Sequence, residues 1–526
     1  MINVLKKFSI ITFLVLIICL LTVGCDTKSI DTNSSNEDAN KNLVIRLAGG
    51  DWGYPNPYKH YPRGPGGFKM ELIFDSLLEK DEKGIIPWLA KDWKIENNGK
   101  EYIFTLRDNV KWHDGKNFNA EDVKFTFDYY KNHPPVWNSL LVDGKYIIEN
   151  VEILNENKVK IYVNSSNATY LDRIGKMRII PKHIWEKVDD PQKFNSNKSL
   201  IGCGPYKFVS YNSEQGTYKL EAFKDYWGPK QKVSAIEWIP VSDPVLAFEK
   251  GEIDLISVSP DIISRYENND EFKISRNKPF WGYRLIFNMN KRPELKDVNL
   301  RKAFAYGIDR EEILQKVGRG SGIVASMGYI PKGHRWYNDK VEKYSLNISK
   351  AKNFIKGKKY TFELLIGNSN KEVKMAELMK LTLQKVGINI NIKSVDMKTR
   401  DSLVKNSDFE LAIIGHGGWG KDPDSLRELY ASNTKESKSP ASGCIPGYYN
   451  EEINKLAKKQ MYELNPQKRK EIIFKLQELI SKEVPQIPIY NTIENFVYRP
   501  SKYNGWMYRY DHHYAEHCKL SYLERK

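Results

Sequence analysis

Between residues 360 and 414 the chain alternates strand and helix signals at a spacing that admits few folds. Residues 360–367 read as a strand, and VKMAELMKLTLQKV is an amphipathic helix closed by Gly387. Ile388, Ile390 and Ile392 then alternate with polar residues as a second strand, and after one more helix comes FELAII at 409–414. Strands separated by helices of this length imply a parallel α/β sheet. In such sheets ligands sit beyond the carboxyl ends of the strands. The loop that follows FELAII runs Gly415-His416-Gly417-Gly418-Trp419-Gly420-Lys421-Asp422-Pro423-Asp424, which makes it the first candidate for ligand contact. Its glycines allow a close backbone approach, with Trp419 lining a cleft. No Gly-Lys-Ser/Thr follows them, so the loop lacks the P-loop pattern for phosphate.

The N-terminus carries a separate message. Lys6 and Lys7 precede an uncharged run from Phe8 to Val23, and Gly24-Cys25 follows. A basic start, a short apolar stretch and a small residue before the break form a secretory signal. Sixteen residues is short for a bilayer span, which needs about 20. Cys25 stands where a lipobox cysteine is lipidated before cleavage, with Thr22 in place of the commoner leucine. An uncleaved membrane anchor is the alternative, and both readings put the remaining chain outside the cytoplasm. Residues 26–42 hold only Ile30 and Ala39 as apolar side chains, too few to offset ordering entropy, so a disordered tether is expected. The expected divisions are a signal peptide (1–24) and a lipidated cysteine with its tether (25–42).

The remaining length, roughly 480 residues, exceeds one ordinary core and predicts two large lobes. The net charge of +16 falls to +14 without residues 1–24, which carry two lysines and no acid. The basic runs are scattered, and no nucleic-acid module is visible. Beyond Cys19 and Cys25 only Cys203, Cys444 and Cys518 remain, with no CxxC pair, so the body is neither a disulfide scaffold nor a zinc ribbon. Gly318-Arg319-Gly320-Ser321-Gly322 is not GxSxG, and no nucleophile has a recognisable setting. An enzyme is not expected.

Closer to the N-terminus, residues 43–47 alternate as a strand, and 68–78 are predicted helical. Asn98-Gly99 is a hairpin signal between period-two strands. Asn119 can cap a helix whose first turn holds Glu121 and Asp122. Asp309 with Glu312 has capping-box spacing.

WLAKDW, the strand at 102–111 and WHDGKNFNAEDV resemble the signature of the family 5 extracytoplasmic solute-binding proteins of ABC transporters, the oligopeptide, dipeptide and nickel receptors. IGCGPYKFVSY, with Cys203 where threonine is usual, FKDYWGPKQKVSAIEW, FEKGEIDL and FNMNKRPELKDVNLRKAFAYGIDREEIL continue the resemblance in order. It covers nearly the whole chain from about residue 43. It implies a two-lobed periplasmic-binding-protein-like α/β fold of type II with an enlarged first lobe and a ligand cleft between lobes. The first lobe would be discontinuous (43–283 plus 492–526), the second continuous (284–491), and strands at 283–289 and 485–498 would form the hinge.

The resemblance also implies a function: a lipid-anchored, monomeric receptor on the outer membrane face that captures short peptides. Lobe closure would then deliver them to permease subunits served by cytoplasmic ATPases, with no cofactor and no nucleic acid. A nickel–chelator receptor is the alternative, and an adhesion or sensory lipoprotein that kept the fold is a remote one. In peptide-binding relatives an aspartate shortly after a loop tryptophan pairs with the ligand's ammonium; Trp419-x-x-Asp422 resembles that spacing. Asp422 or Asp424 could instead cap a helix starting near Ser425. Nickel receptors hold a chelator carboxylate with a first-lobe arginine, for which Arg173 and Arg178 compete. His416 is a further ligand candidate, and Tyr54, Trp137 and Tyr283, with Trp52 and Trp281, are aromatic candidates for the cleft wall. His513 and His517, within Asp511 to Cys518, would share a helix face and could bind metal; otherwise they pack the terminal segment against the first lobe.

Overall fold

The computed structural model describes residues 43–62, 64–81, 84–142, 144–416, 422–431, 445–508 and 515–522. The signal sequence, Cys25 and the tether lie outside these residues. Among the described residues no helix is long and apolar enough to cross a membrane.

Two groups of sheets form the two lobes. In the first, Val44–Ala48 runs parallel to Ala235–Ile239, which continues through Thr217–Ala222 to Tyr206–Asn212 in antiparallel register. A second four-stranded sheet pairs Ala90–Glu96, Glu101–Leu106, Lys158–Val163 and Ile148–Asn155, all antiparallel. The helix Ala120–Asn132 covers that sheet with Val123, Phe127 and Tyr130, each at most 1% exposed. It starts where expected: Asn119 accepts from the Glu121 amide, and Asp122 completes the capping box. At Asn97–Gly99 the hairpin turns through Asn98 with φ 51°, a left-handed conformation that asparagine tolerates.

The six-stranded sheet of the second lobe has the order Gly322–Val324, Gln486–Thr492, Trp281–Phe287, Leu411–His416, Tyr360–Gly367, Ile388–Val395. The predicted parallel arrangement holds for its last three strands. The other pairings are antiparallel, because these strands enter from, or return to, the other lobe rather than through a crossover helix. The helix Asn370–Val386 ends at Gly387 with φ +104°, a conformation nearly closed to side chains with a Cβ. One continuous core joins this sheet to its helices, from Leu285 and Phe287 through Phe304 and Met379 to Ile473 and Ile487.

The family-like motifs turn out to be joints. Gly202 approaches the Ile73 carbonyl so closely that a Cβ would lie 1.9 Å from that oxygen. The Gly204 amide donates to the same oxygen at 2.8 Å, which ends the first helix at Ile73 rather than at the predicted residue 78. That helix spans Gly64–Ile73. Asp75, fully buried, accepts from Trp88 Nε1 at 2.8 Å, Trp227 Nε1 at 3.0 Å, Tyr226 OH at 3.2 Å and Lys519 Nζ at 2.7 Å. Two motifs and the C-terminal segment thus converge on one carboxylate. Arg301 donates to the carbonyls of Leu295, Lys296, Glu483 and Val484, and Arg310 to those of Ala325, Tyr344 and Pro488. Asp309 caps its helix by accepting from the Glu312 amide at 2.9 Å, while Glu312 itself pairs with Lys316 at 2.6 Å.

Candidate ligand-binding site

Two short links join the lobes, and they lie side by side. The strand Lys273–Arg276 pairs with Asn495–Tyr498 in the three-stranded sheet of the first lobe, and Trp281–Phe287 pairs with Gln486–Thr492 in the six-stranded sheet. Only residues 277–280 and 493–494 separate each strand from its continuation. The Asn277 side chain accepts from the Glu494 amide at 2.7 Å, and Trp281 stands opposite Thr492. This is the predicted hinge region, with both crossings hydrogen-bonded to each other.

A cavity of about 210 Å³ opens at this crossing. Both lobes contribute to its walls: Ser257 from the first-lobe side, and Ser321, Lys371 and Tyr490 from the second, with Thr492 and Glu494 at the returning crossing. Four buried polar atoms on three consecutive residues of the returning strand have no partner among the described residues: Tyr490 OH, Asn491 Nδ2 and Oδ1, and Thr492 Oγ1. These residues are at most 4% exposed. Leaving such groups unpaired costs roughly 1–3 kcal/mol each, so they call for a partner that the described residues do not supply. Tyr283, on the outgoing strand, lies beside Tyr490 with ring centroids 5.5 Å apart. Burial pushes both phenols well above the usual tyrosine range, and the Glu494 carboxylate adds to the effect.

The expected anchor residues lie elsewhere or are already engaged. Asp422 accepts from Arg469 Nη1 at 2.7 Å and also bonds Arg469 Nη2. Its carboxylate further accepts from the Asp424 amide at 2.9 Å, so it braces the start of the helix Ser425–Tyr430. Arg173 is 8% exposed and donates to Asp424 Oδ2 at 2.8 Å and Glu428 Oε1 at 2.7 Å. Asp424 also binds Arg427 and Gln460. Burial lowers the basicity of Arg173, but Asp424 and Glu428 outweigh it and the net shift is upward; burial raises the Asp424 carboxyl, yet Arg427 and Arg173 hold it below its ordinary value. Arg173 therefore joins the first-lobe helix Tyr170–Gly175 to a second-lobe helix. In this structure its guanidinium is occupied by protein carboxylates. The competing Arg178 is likewise paired, with Glu71 and Glu79.

Of the aromatic candidates, Tyr283 alone of Tyr54, Trp137 and Tyr283 neighbours the hinge cavity. The Tyr54 hydroxyl donates to Asn197 at 2.9 Å within the first lobe. Trp137 is 39% exposed and packs over Gly67, with its ring 5.1 Å from that of His60. Trp419 and His513 lie outside the described residues. The backbone of His416 ends the strand Leu411–His416.

His517, the described member of the expected metal pair, is already engaged. Its Nε2 is 2.8 Å from Tyr206 OH, its Nδ1 contacts Tyr503 OH, and it is 3% exposed. With one ring nitrogen donating and the other accepting, no lone pair remains for a metal. Among the described residues no group of three or more metal-type side chains is placed to hold an ion. Lys519, buried on Asp75 and Glu79, ties the same segment to the first lobe.

The residues that sequence reasoning missed are Thr492, Glu494 and Lys371. The segment IPIYNTIENFVY reads as a hinge strand but carries no spacing that marks its polar side chains as a site.

A family profile described as bacterial extracellular solute-binding proteins, family 5 middle, matches residues 84–438. The chain belongs to this family. Among its relatives, haem-binding protein A of Haemophilus influenzae is 25% identical over 460 residues, covering 80% of this chain and 82% of that protein. The dipeptide-binding protein of Escherichia coli K12 is 27% identical over 377 residues, covering 65% and 69%. The crystal structure of the ABC transporter substrate binding protein CtaP from Listeria monocytogenes superposes with a TM-score of 0.74 at 27% identity, covering 87% of this chain and 94% of that one. In family 5 terms the fold is the two-lobed one expected, and the hinge cavity lies where its lobes meet.

Proposed function

We propose that this chain is the lipid-anchored substrate-binding receptor of an ABC importer, tethered through Cys25, and that it captures short peptides outside the membrane. The lobes divide as residues 43–283 with 492–526, and residues 284–491. Closing about the two crossings encloses the ligand, and the closed form is the one a permease recognises. Binding rather than catalysis is its task.

The observation that carries this reading is the pair of buried cavity-lining hydroxyls, Tyr490 OH and Thr492 Oγ1, that have no partner among the described residues, at the hinge of a family 5 chain. A peptide backbone supplies donors and acceptors at close spacing, which is what the two cavity-lining hydroxyls of Tyr490 and Thr492 require. The likeness to a dipeptide-binding relative supports the same class. A flat apolar macrocycle such as haem fits poorly, because hydroxyls and charges line much of this cavity.

Native mass spectrometry of the full-length protein released from membranes tests the proposal. A co-purifying peptide of a few residues is expected, together with the mass of a lipidated cysteine at residue 25. A nickel–chelator complex in its place, or closure by nickel–histidine and not by peptides, would replace the peptide reading.

A further inference from the structure

Among the described residues Glu494 is the one carboxylate lining the hinge cavity, and it has no cationic partner there. Its only side-chain bond is from the Ser257 hydroxyl, at a long 3.4 Å. Its backbone is held firmly: its amide donates to Asn277 and its carbonyl accepts from Tyr508 OH at 3.1 Å. The carboxylate is therefore presented on a fixed link while its charge stays uncompensated by the described residues. By contrast Asp422, Asp424, Glu79 and Asp75 each touch an arginine or lysine.

Among the described residues lining the same cavity there is one ammonium, that of the solvent-exposed Lys371 in the first turn of the helix Asn370–Val386. This lysine forms no ion pair among the described residues. The amino end of a 17-residue helix adds positive potential there. Two unpartnered, buried hydroxyls, Tyr490 OH and Thr492 Oγ1, line the cavity with the two charges. An isolated helix end or a lone acid would signify little. A cavity holding one uncompensated charge of each sign and two orphaned hydroxyls is complementary to a small molecule with the same features reversed.

We propose that Glu494 binds the free ammonium, and Lys371 the free carboxylate, of a short zwitterionic peptide, with Tyr490 and Thr492 hydrogen-bonding the backbone between them. This rests on the peptide reading above and sharpens it: the determinant is a pair of free termini, and the amine anchor is Glu494 instead of Asp422. Charge-assisted hydrogen bonds beside two buried hydroxyls are strong enough to select on this basis.

The test uses full-length protein in detergent with a mixture of di- and tripeptides, presented unmodified, N-acetylated, or C-terminally amidated, and bound peptide read by mass spectrometry. The wild type is expected to retain the unmodified mixture and to bind either blocked mixture at least about 30-fold more weakly. Glu494→Gln is expected to weaken the unmodified mixture by a similar factor, yet leave the residual affinity for acetylated peptides nearly unchanged. Lys371→Met should do the same for the amidated set. Equal binding of blocked and free peptides by the wild type would overturn the terminal-charge proposal while leaving the peptide receptor standing, and needs no variant to fold. Undiminished binding of free peptides by Glu494→Gln would overturn the anchor assignment. Failure of the wild type to retain any peptide would overturn the peptide reading itself, and this inference with it.

Discussion

Asp75 and Glu494 are both carboxylates where separate pieces of the chain meet, yet their surroundings are opposite. Asp75 is fully buried and takes hydrogen bonds from two tryptophans, a tyrosine and a lysine. Glu494 lines a cavity, touches one serine hydroxyl at 3.4 Å, and neighbours hydroxyls with no partner. The first arrangement is a joint, complete in itself. The second is incomplete without a ligand. Family resemblance is densest around the joint, in WLAKDW and YWG, which explains why the motifs reveal the fold more clearly than the cargo.

Breaking the joint should produce the largest effect. Asp75→Ala strands the Trp88 and Trp227 indoles and leaves Lys519 with Glu79 and the Phe74 carbonyl. Removing one member of a buried, charge-paired network costs about 3–5 kcal/mol. Chemical denaturation is expected to show a loss of that size, while the folded fraction binds ligand with wild-type affinity. A loss of affinity at unchanged stability would erase the contrast between joint and site.

Acid should weaken the first lobe next. Burial depresses His517 to about 3, and burial likewise depresses His113 to about 4 despite its bond to the Gly204 carbonyl. Both are neutral when folded and take up protons near 6.5 when unfolded. The unfolded state therefore binds more protons below that value, and stability falls as pH drops from about 6.5 toward the folded values. For His517 the linkage amounts to about 2 kcal/mol between pH 6.5 and pH 5. Denaturation midpoints measured across this range should decline, and His517→Gln should flatten the slope. A metal-binding His517 would instead show zinc- or nickel-dependent stabilisation.

How much of this was legible beforehand differs by the range of the interaction. The Asn97–Gly99 turn, the Asn119 cap and the Gly387 stop depend on residues within a few positions, and all appear where the local chemistry puts them. The outgoing and returning strands were legible from apolar runs. The state of a carboxylate was not. Whether Asp422 is free for a ligand depends on Arg469, which lies 47 residues on, and whether Arg173 is free depends on Asp424, 251 residues on. Helix Gly64–Ile73 ends short of residue 78 for the same reason: the close approach of Gly202 and Gly204 ends it from outside. Charge compensation is a tertiary property that no spacing rule reports.

Arg173 gives a way to separate closing from recognising. It joins the two lobes through Asp424 and Glu428, away from the orphaned hydroxyls. Asp424 keeps Arg427 and Gln460 when Arg173 is removed, so Arg173→Ala should cost modestly, about 1–2 kcal/mol of closing free energy. Ligand affinity would fall by about tenfold, equally for free and blocked peptides, with faster dissociation. A loss confined to peptides with a free carboxylate would return Arg173 to the binding site.

The smallest expected effect is at the residue that local spacing favoured most. Asp422 resembles the amine anchor of peptide-binding relatives, but its carboxylate is spent on Arg469 and on the Asp424 amide. Asp422→Asn keeps the shape and the bond to that amide while weakening the ion pair. Peptide affinity should change by no more than about twofold, the scale of an indirect effect several residues from the ligand. Glu494→Gln, an equally conservative change, should weaken binding about 30-fold. If the two variants exchanged these outcomes, an ammonium would be displacing Arg469 on binding. The loop that follows the strand Leu411–His416, and not the returning strand, would then hold the amine anchor.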